Sequence, residues 1–308
     1  MRIVFYANGD RSYIGNNGGS RTIIKSAEAL RGLGHDCNVV SKKDNYTWAK
    51  HRSCIKDVPD DTDALIAVSA RDVCKMCKLF PTHKKYWWVR GIELWQFPEK
   101  NLIEKARKVK CIVNAMHLKN WLAEYGVSSE LCYAGMDQWY DAKLGYQRDG
   151  KTVIGCLYNK NHKTKGWSSF KTLAKELGGQ NFTYMAFGND LPSASWLHVF
   201  SAQPSRMELG ALYNLCDVWF SDTTLEGFHN VPAEAAMCGC LVMCNDKVHN
   251  GMGDYANRET AKIFHNRDEM VDANWDFSKV EKMKKLINEK IGSREKNMKR
   301  LVDICQTS

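Results

Sequence analysis

Apolar residues along the chain recur in short runs separated by amphipathic segments, a pattern that predicts strands alternating with helices. The first apolar run, at residues 2–7, is short and bounded by polar residues, which is typical of a buried strand. A loop rich in Gly and Asn follows, and helical spacing predicts a helix over 21–33 that Gly34 ends. With a strand at 37–41, this is the usual opening of a doubly wound sheet.

The same alternation continues through the rest of the chain. It predicts further strands at 63–69, 86–89, 111–114, 153–157, 182–187, 218–220 and 240–244, and helices at 71–79, 98–108, 116–125, 167–177, 206–215 and 232–237. The polar segment 141–151 interrupts the pattern, and 278–305 predicts one or two basic helices broken near Gly292. We therefore expect two α/β domains, 1–145 and 150–280, followed by basic helices at 281–308.

Length and composition agree with two domains. The chain has 308 residues, 44% apolar and 26% charged, which is ordinary for globular proteins. It lacks the run of about 18 apolar residues that a membrane helix needs and shows no signal-peptide pattern, so a cytoplasmic location is expected. Of the twelve cysteines, Cys74 and Cys77 form a lone CxxC, so we expect buried free thiols rather than a zinc site.

Positive charge is concentrated in the first half. The net charge is +9, and residues 1–150 hold 24 Lys and Arg against 17 Asp and Glu, a net of +7. An anionic partner would explain this: a membrane surface, a phosphorylated glycan or nucleic acid. Solubility alone explains it equally well.

The segment 221–244 carries the most specific chemistry. Seven residues separate Glu226 from Glu234, and the intervening loop is expected to open a helix at Pro232. The free backbone N–H groups of a helix start favour a phosphate, and Gly227 allows a close approach to a ligand. Glu234, expected in the first turn, and Glu226 are suitable acceptors for sugar or ribose hydroxyls. Each glutamate alone would be unremarkable on a protein surface, but their combination favours a ligand site.

A lysine lies at the matching position of the neighbouring strand. Lys165 follows the first strand of the second half and precedes the helix that Gly166 opens. It can reach a phosphate as a point charge. Lys160 and Lys163 lie close by, and for these two a solvated charge run is an equally good interpretation.

These residues match a family. The stretch EGFHNVPAEAAMCGCLV at 226–242 resembles the E-x7-E motif of family-4 glycosyltransferases, usually written EGFGLPxxEAMAxGxPV. Other places that resemble the family are Gly18-Gly19 with Leu30, Gly34-His35 and Val39, then 114–126 with Gly135-Met136-Asp137, and 153–166. The resemblance implies the GT-B fold: α/β, with two Rossmann-like domains facing across a cleft and C-terminal helices packing back toward the first domain.

The resemblance also implies roles. Glu234 would hold the ribose of the donor, Glu226 the hydroxyls of the transferred sugar, and Lys165 the diphosphate, over which the Gly18-Gly19 loop would close. Glu226 and Lys165 would be the catalytic residues, and the donor-binding set would be Gly18, Gly19, Lys160, Lys163, Gly227, Phe228, His229, Asn230, Val231 and Glu234. The reaction would be a retaining, metal-independent hexosyl or pentosyl transfer from a nucleotide-diphosphate sugar, UDP- or GDP-linked, with no cofactor.

The chain departs from the family motif in several places. The usual arginine before the lysine is missing, and Lys160 or Lys163 can take its place. His229-Asn230 replaces Gly-Leu, and Pro232 comes one residue late, changes that can alter the choice of sugar. The DxD at 61–63 belongs to a different transferase fold and is interpreted as a surface turn.

The acceptor is open at this point. A glycan or lipid-linked sugar is the general expectation for the family. The alternative is DNA carrying a hydroxymethylated pyrimidine, as in phage-type DNA glycosyltransferases, because Lys and Arg alternate with aromatic residues at 84–97. Candidate acceptor contacts are Trp88, Arg90, Glu93 and Trp95. The run 86–89 also fits a buried strand, and at least one of Trp87 and Trp88 is expected to be a core residue of it.

Two other classes are weaker. An NAD-dependent oxidoreductase would need a GxGxxG after a first strand, and the glycines of the first loop have the wrong spacing. An inactive sugar-nucleotide binding module is disfavoured by the intact glutamate pair.

Overall fold

The computed structural model describes residues 1–8, 14–15, 17–42, 54–139, 150–160, 163–190 and 192–307. The chain forms two compact units, Met1–Met136 with Gly292–Ser308, and Asp137–Ile291. Each is built on a parallel sheet, which confirms the predicted α/β class. Most of the predicted boundary segment 141–151 lies outside the described residues.

The first unit holds a seven-stranded parallel sheet. Its strands are β1 Arg2–Ala7, β2 Asp36–Ser41, β3 Cys54–Ile55, β4 Ala64–Ala67, β5 Lys85–Val89, β6 Lys110–Val113 and β7 Ser129–Leu131, in the order β3-β2-β1-β4-β5-β6-β7. The helices that connect them are α1 Gly18–Gly32, α2 Ala70–Leu79, α3 Glu99–Ala106 and α4 Met116–Glu124. The order reverses between β1 and β4, where doubly wound sheets bind ligands.

The second unit repeats this plan with six parallel strands. They are β8 Thr152–Tyr158, β9 Phe182–Gly188, β10 Val199–Ala202, β11 Val218–Ser221, β12 Leu241–Asn245 and β13 Lys262–Phe264, in the order β10-β9-β8-β11-β12-β13. The helices are α5 Trp167–Leu177, α6 Arg206–Leu215, α7 Asn230–Met237, α8 Arg267–Val271 and α9 Lys279–Leu286. Here the switch point lies between β8 and β11, so the loops after these two strands meet at one edge of the sheet.

Helix α7 starts earlier than predicted. It begins at Asn230, so Pro232 is its third residue rather than its first. The N–H groups of the first turn have no intrahelical partner, so a proline there costs no hydrogen bond. The prediction that Glu234 lies in the first turn is wrong, because it is the fifth residue of the helix.

The helical tail is interrupted at Gly292, where the sequence predicts a break. After α9 a π-helical turn, Ile287–Ile291, precedes Gly292, whose φ is +70°. Helix α10, Arg294–Gln306, then packs on the first unit, as predicted, and its apolar face joins the core formed by the sheet and α1.

Among the described residues, most cysteines are buried, and the two aspartates of the DxD segment stabilise a turn. All twelve cysteines lie within the described residues and are thiols rather than disulfides, and nine of them are buried. In the DxD at 61–63, the carboxylates of Asp61 and Asp63 accept hydrogen bonds from Arg2, so they hold a turn against β1.

The described residues include no cluster of three His, Cys, Asp or Glu side chains that could hold a metal ion. Among the described helices, none combines the length and the apolar composition that crossing a membrane requires.

Candidate active site

The loops after β8 and β11 pack directly on each other in the second unit. Lys165 ends a short 3-10 turn, Lys163–Lys165, and Gly166 caps α5 with a φ of +79°. A Cβ at Gly166 would lie 2.8 Å from the backbone of Asp222. Glycine is therefore required here for the turn that carries Lys165 to approach the loop after β11.

The Asp222 carboxylate joins three elements beneath this contact. It accepts hydrogen bonds from Ser169 Oγ on α5 (2.5 Å) and from Asn245 Nδ2 at the end of β12 (2.7 Å). Asn245 Nδ2 also donates to Thr223 O (2.8 Å). Sequence reasoning missed Asp222 and Asn245. The available signal was that Asp222 directly follows β11 and Asn245 ends β12, since polar residues at the carboxyl ends of strands lie at the ligand-binding edge.

The two predicted catalytic residues meet in this structure. Lys165 Nζ forms an ion pair with Glu226 Oε1, and the two side chains are only 17% and 21% exposed. Glu226 N donates to His249 O (2.8 Å), which fixes the start of the loop. Burial lowers the pKa of Lys165 to about 8, and the facing carboxylate acts in the opposite direction. The site thus holds one cation and one anion in direct contact.

Glu234 is buried and oriented by a tyrosine. Its Oε2 accepts a hydrogen bond from Tyr213 OH (3.0 Å), which lies on α6. The Tyr213 ring packs edge-on against Trp139 and Trp219. This hydrogen bond therefore fixes the orientation of the Glu234 carboxylate. Tyr213 is a further residue of the candidate site that the sequence pattern did not identify.

His229 caps α7 and is almost fully buried, at 4% exposure. Its carbonyl accepts a hydrogen bond from Tyr255 OH (2.6 Å). Its ring lies between Ser221 Oγ, 3.5 Å from Nδ1, and Glu226 Oε1, 3.8 Å from Nε2. Burial, and secondly the charge of Lys165, lower the pKa of His229 well below its ordinary value. The ring is therefore neutral.

The loop is backed by the segment that carries Gly251. His229 N donates to Gly251 O (3.1 Å), and a Cβ at Gly251 would lie 2.4 Å from Gly227 O. The Phe228 ring is buried against Tyr255, with ring centroids 5.3 Å apart. Of the predicted loop residues, Phe228 and His229 thus point into the protein, whereas Asn230 and Val231 are half-buried at the helix start.

The two remaining predicted lysines lie between β8 and Lys165 in the sequence. Lys160 is exposed in the turn after β8, and Lys163 begins the 3-10 turn. A role of Lys160 or Lys163 in donor binding, in place of the arginine of the family that the sequence resembles, stays a prediction.

The first unit has its own cavity at the switch point of its sheet. Its volume is about 210 Å³, and it lies at the ends of β1 and β4 and the starts of α1 and α2. Arg90 lines it and donates to Gly19 O (2.8 Å) and Val68 O (3.0 Å). Gly18 and Gly19 are the exposed first residues of α1, whose first turn contains no acidic residue.

The other predicted acceptor residues of the first unit lie in different environments. Trp88 is fully buried, stacks on Phe5 and donates from Nε1 to Cys132 O (3.3 Å), so it offers no surface to an acceptor. Glu93 is buried and accepts the Ala70 N–H at the start of α2, and burial raises its pKa to about 7. Trp95, in contrast, is 64% exposed.

Comparisons with known proteins give a structural likeness only. No family model matches the chain, and no curated protein matches it. Among solved structures, sucrose-phosphate synthase from Thermosynechococcus elongatus superposes with a TM-score of 0.77 at 13% identity, over 100% of this chain and 98% of that one. HepE from Anabaena, in complex with UDP and glucose, gives 0.76 at 12% identity over 100% of both chains.

A third structure agrees with these two. A glycosyltransferase from Rickettsia africae gives a TM-score of 0.73 at 12% identity, over 100% of this chain and 98% of that one. At sequence identities this low, the comparison supports a shared fold of the backbone and no statement about substrate or mechanism. The two parallel-sheet units of this chain have the fold of GT-B glycosyltransferases.

Proposed function

We propose that the protein is a retaining glycosyltransferase that moves a sugar from a nucleotide-diphosphate sugar to a hydroxyl acceptor. The observation that carries this proposal is the ion pair of Lys165 and Glu226 beside the start of α7, at the switch point of the second sheet. The solved structure of HepE with UDP and glucose supports it, because the same fold holds a nucleotide and a sugar there.

Each residue has a task in this proposal. The N–H groups that open α7 and the Lys165 ammonium take the diphosphate, so that no metal is needed for its charge. Glu226 accepts hydrogen bonds from hydroxyls of the transferred sugar, and Glu234 accepts them from the ribose. The bond between the anomeric carbon and the phosphate oxygen breaks, the acceptor oxygen bonds to that carbon from the same face, and its proton passes to the leaving phosphate. The protein contributes positioning and charge stabilisation.

A donor screen tests the proposal. We expect one of the UDP-, GDP-, ADP- or dTDP-sugars to raise the unfolding temperature, because a ligand that binds only the folded state stabilises it.

A substitution tests the catalytic assignment. Glu226→Ala should abolish transfer while the variant unfolds with wild-type cooperativity. Lys171→Ala, on the exposed face of α5, is the control and should retain activity. Wild-type turnover by the Glu226 variant would refute the assignment.

For the acceptor we propose a glycan or lipid-linked sugar that enters the cavity of the first unit. A volume of about 210 Å³ suits a monosaccharide-sized group, and Arg90 gives the cavity a positive wall. An anionic acceptor fits this wall and the net charge of +7 in residues 1–150.

DNA with a hydroxymethylated pyrimidine is the second candidate acceptor, and the exposed ring of Trp95 favours it, because an exposed indole can stack on a base. A salt titration of duplex binding separates the two classes. Phosphate contacts would make the affinity fall steeply with salt. Undetectable binding at low salt would exclude DNA, and Trp95→Ala should weaken binding if the ring stacks on a base.

A further inference from the structure

His229 is a buried polar side chain that uses only part of its hydrogen-bonding capacity. The residue is 4% exposed, and its Nε2 has no hydrogen-bond partner among the described residues. A buried polar group left in this state lowers the stability of the folded protein. Packing alone would favour an apolar side chain here, so a second state in which Nε2 is bonded would explain the histidine.

The geometry shows which group can supply that bond. Nε2 lies 3.8 Å from Glu226 Oε1, and the same oxygen forms the ion pair with Lys165. At the opposite side of the ring, Nδ1 lies 3.5 Å from Ser221 Oγ. If the serine hydroxyl donates to Nδ1, the proton of the neutral ring is on Nε2 and faces the carboxylate, which is the favourable tautomer beside an anion.

Two hydrogen bonds hold the backbone of His229 in place. Its backbone N–H donates to Gly251 O (3.1 Å), and its carbonyl accepts from Tyr255 OH (2.6 Å). Glu226 is also fixed through its backbone N–H, and its side chain, which is paired with Lys165, is 21% exposed. A shift of about 1 Å by the carboxylate would bring 3.8 Å down to hydrogen-bond distance.

We propose that His229 is a positioning residue that takes hold of Glu226 when the phosphates of the donor draw Lys165 away. This inference rests on the proposed function for the nature of the ligand. The donor diphosphate and the Glu226 carboxylate then compete for the Lys165 ammonium group, so the ion pair between Glu226 and Lys165 is weakened. Nε2–H donates to Glu226 in its place, so the carboxylate remains ionised and directed at the sugar. In this role the His229 side chain acts through Glu226, and the expected place of His229 in the donor-binding set stays a separate prediction.

Activity measurements separate positioning from a merely structural role. His229→Leu should lower kcat by about 10²-fold, the cost of a misplacement of about 1 Å, with little change in the KM for the donor. His229→Gln, which can place an N–H near the position of Nε2, should recover most of that loss. His265→Gln is the matched control, because His265 is exposed and paired with Asp246. Wild-type kcat in His229→Leu, or an equal loss in His229→Gln, would overturn the inference.

A second measurement needs no sugar donor. In protein labelled with ¹⁵N-histidine, Lys165→Met removes the competing cation, and the Nε2–H resonance of His229 should move downfield and exchange more slowly with water. Inorganic pyrophosphate should produce the same change in the wild-type protein, and Glu226→Ala should abolish it in both. An unchanged resonance in Lys165→Met would refute the inference. If the resonance moves but no nucleotide sugar binds or reacts, the proposed function fails while the hydrogen bond stands.

Discussion

Lys165 belongs to a largely buried ion pair, and ligand binding depends on the pH range in which its side chain stays protonated. Burial lowers its pKa to about 8. Above this pH the free protein loses the ammonium proton that a diphosphate needs. We expect the Kd for UDP to rise above pH 8, approaching tenfold per pH unit. Titration calorimetry between pH 7 and 9.5 measures this directly.

Two variants test whether Lys165 is the group responsible for this pH dependence. Lys165→Arg stays charged over the whole range and should bind UDP with little pH dependence. Lys171→Arg, on the exposed surface of α5, should keep the wild-type profile. A pH dependence that survives in Lys165→Arg would show that another group titrates.

Gly251 permits the close approach that backs the loop of Glu226. Its φ is +78°, and a Cβ would lie 2.4 Å from Gly227 O and 2.7 Å from Glu226 Cβ. We expect Gly251→Ala to cost about 2 kcal/mol of unfolding free energy and to weaken UDP binding, because the loop must move. Gly253→Ala is the control: its Cβ would meet nothing within 4 Å. Equal denaturant midpoints for the two variants would contradict this account.

At the residue level, the sequence indicates the site wherever chemistry and spacing coincide. Glu226 and Lys165 are predicted as site residues because they follow strands at a switch point, and Glu234 is predicted from its spacing to Glu226. Asp222, Tyr213 and Gly251 are not, because their roles depend on contacts between distant segments, such as the hydrogen bond between Asp222 and Ser169. Trp88 could not be placed either, since an apolar run in a strand does not show whether its aromatic rings are covered.

The first residue of helix α2 donates its N–H to a carboxylate from another segment. We expect the titration of that carboxylate to make the stability of the protein depend on pH. Glu93 accepts the Ala70 N–H, and burial raises its pKa from 4.5 to about 7. The folded state therefore holds the proton more tightly than the unfolded chain. The resulting stabilisation is complete below about pH 4.5 and is lost as the pH rises through 7, by about 3 kcal/mol.

Glu93→Gln removes this titration and keeps an oxygen for the Ala70 N–H. We expect its unfolding free energy to fall less between pH 5 and 8 than that of the wild-type protein. Urea titrations at the two pH values measure the difference. Glu104→Gln, at an exposed position of α3, should behave like the wild-type protein. A Glu93→Gln variant with the wild-type pH dependence would argue against a raised pKa.

Elements in the sheet centres were predictable, and those at the edges were not. The four strands that the pattern missed are β3, β7, β10 and β13, and each lies at an edge of its sheet. They are two to four residues long, and most of their residues are half-buried or exposed. A central strand of a parallel sheet is covered on both faces and appears as an apolar run, whereas a short edge strand lacks this signal.

At the scale of the whole molecule, the chain leaves the first unit, forms the second and returns. Helix α10 completes the first unit, where Met298, Leu301 and Cys305 are fully buried in a core shared with α1. Hydrophobic periodicity shows that such a helix has an apolar face, but it does not show which sheet that face covers. The family resemblance predicts the return to the first domain, whereas the hydrophobic pattern alone does not.

This return makes the stability of the first unit depend on the last residues of the chain. Leu301 is 0% exposed, so Leu301→Ala leaves a cavity and should cost about 3 kcal/mol. Lys299→Ala, two residues earlier on the same helix, removes only a surface pair with Glu295 and should change stability by less than about 0.5 kcal/mol. Guanidinium unfolding followed by tryptophan fluorescence and circular dichroism compares the two variants. Because both substitutions lie on one helix, their effects on helix propensity are similar, and the difference between them isolates the buried contact. Equal midpoints would mean that α10 adds nothing to the core of the first unit.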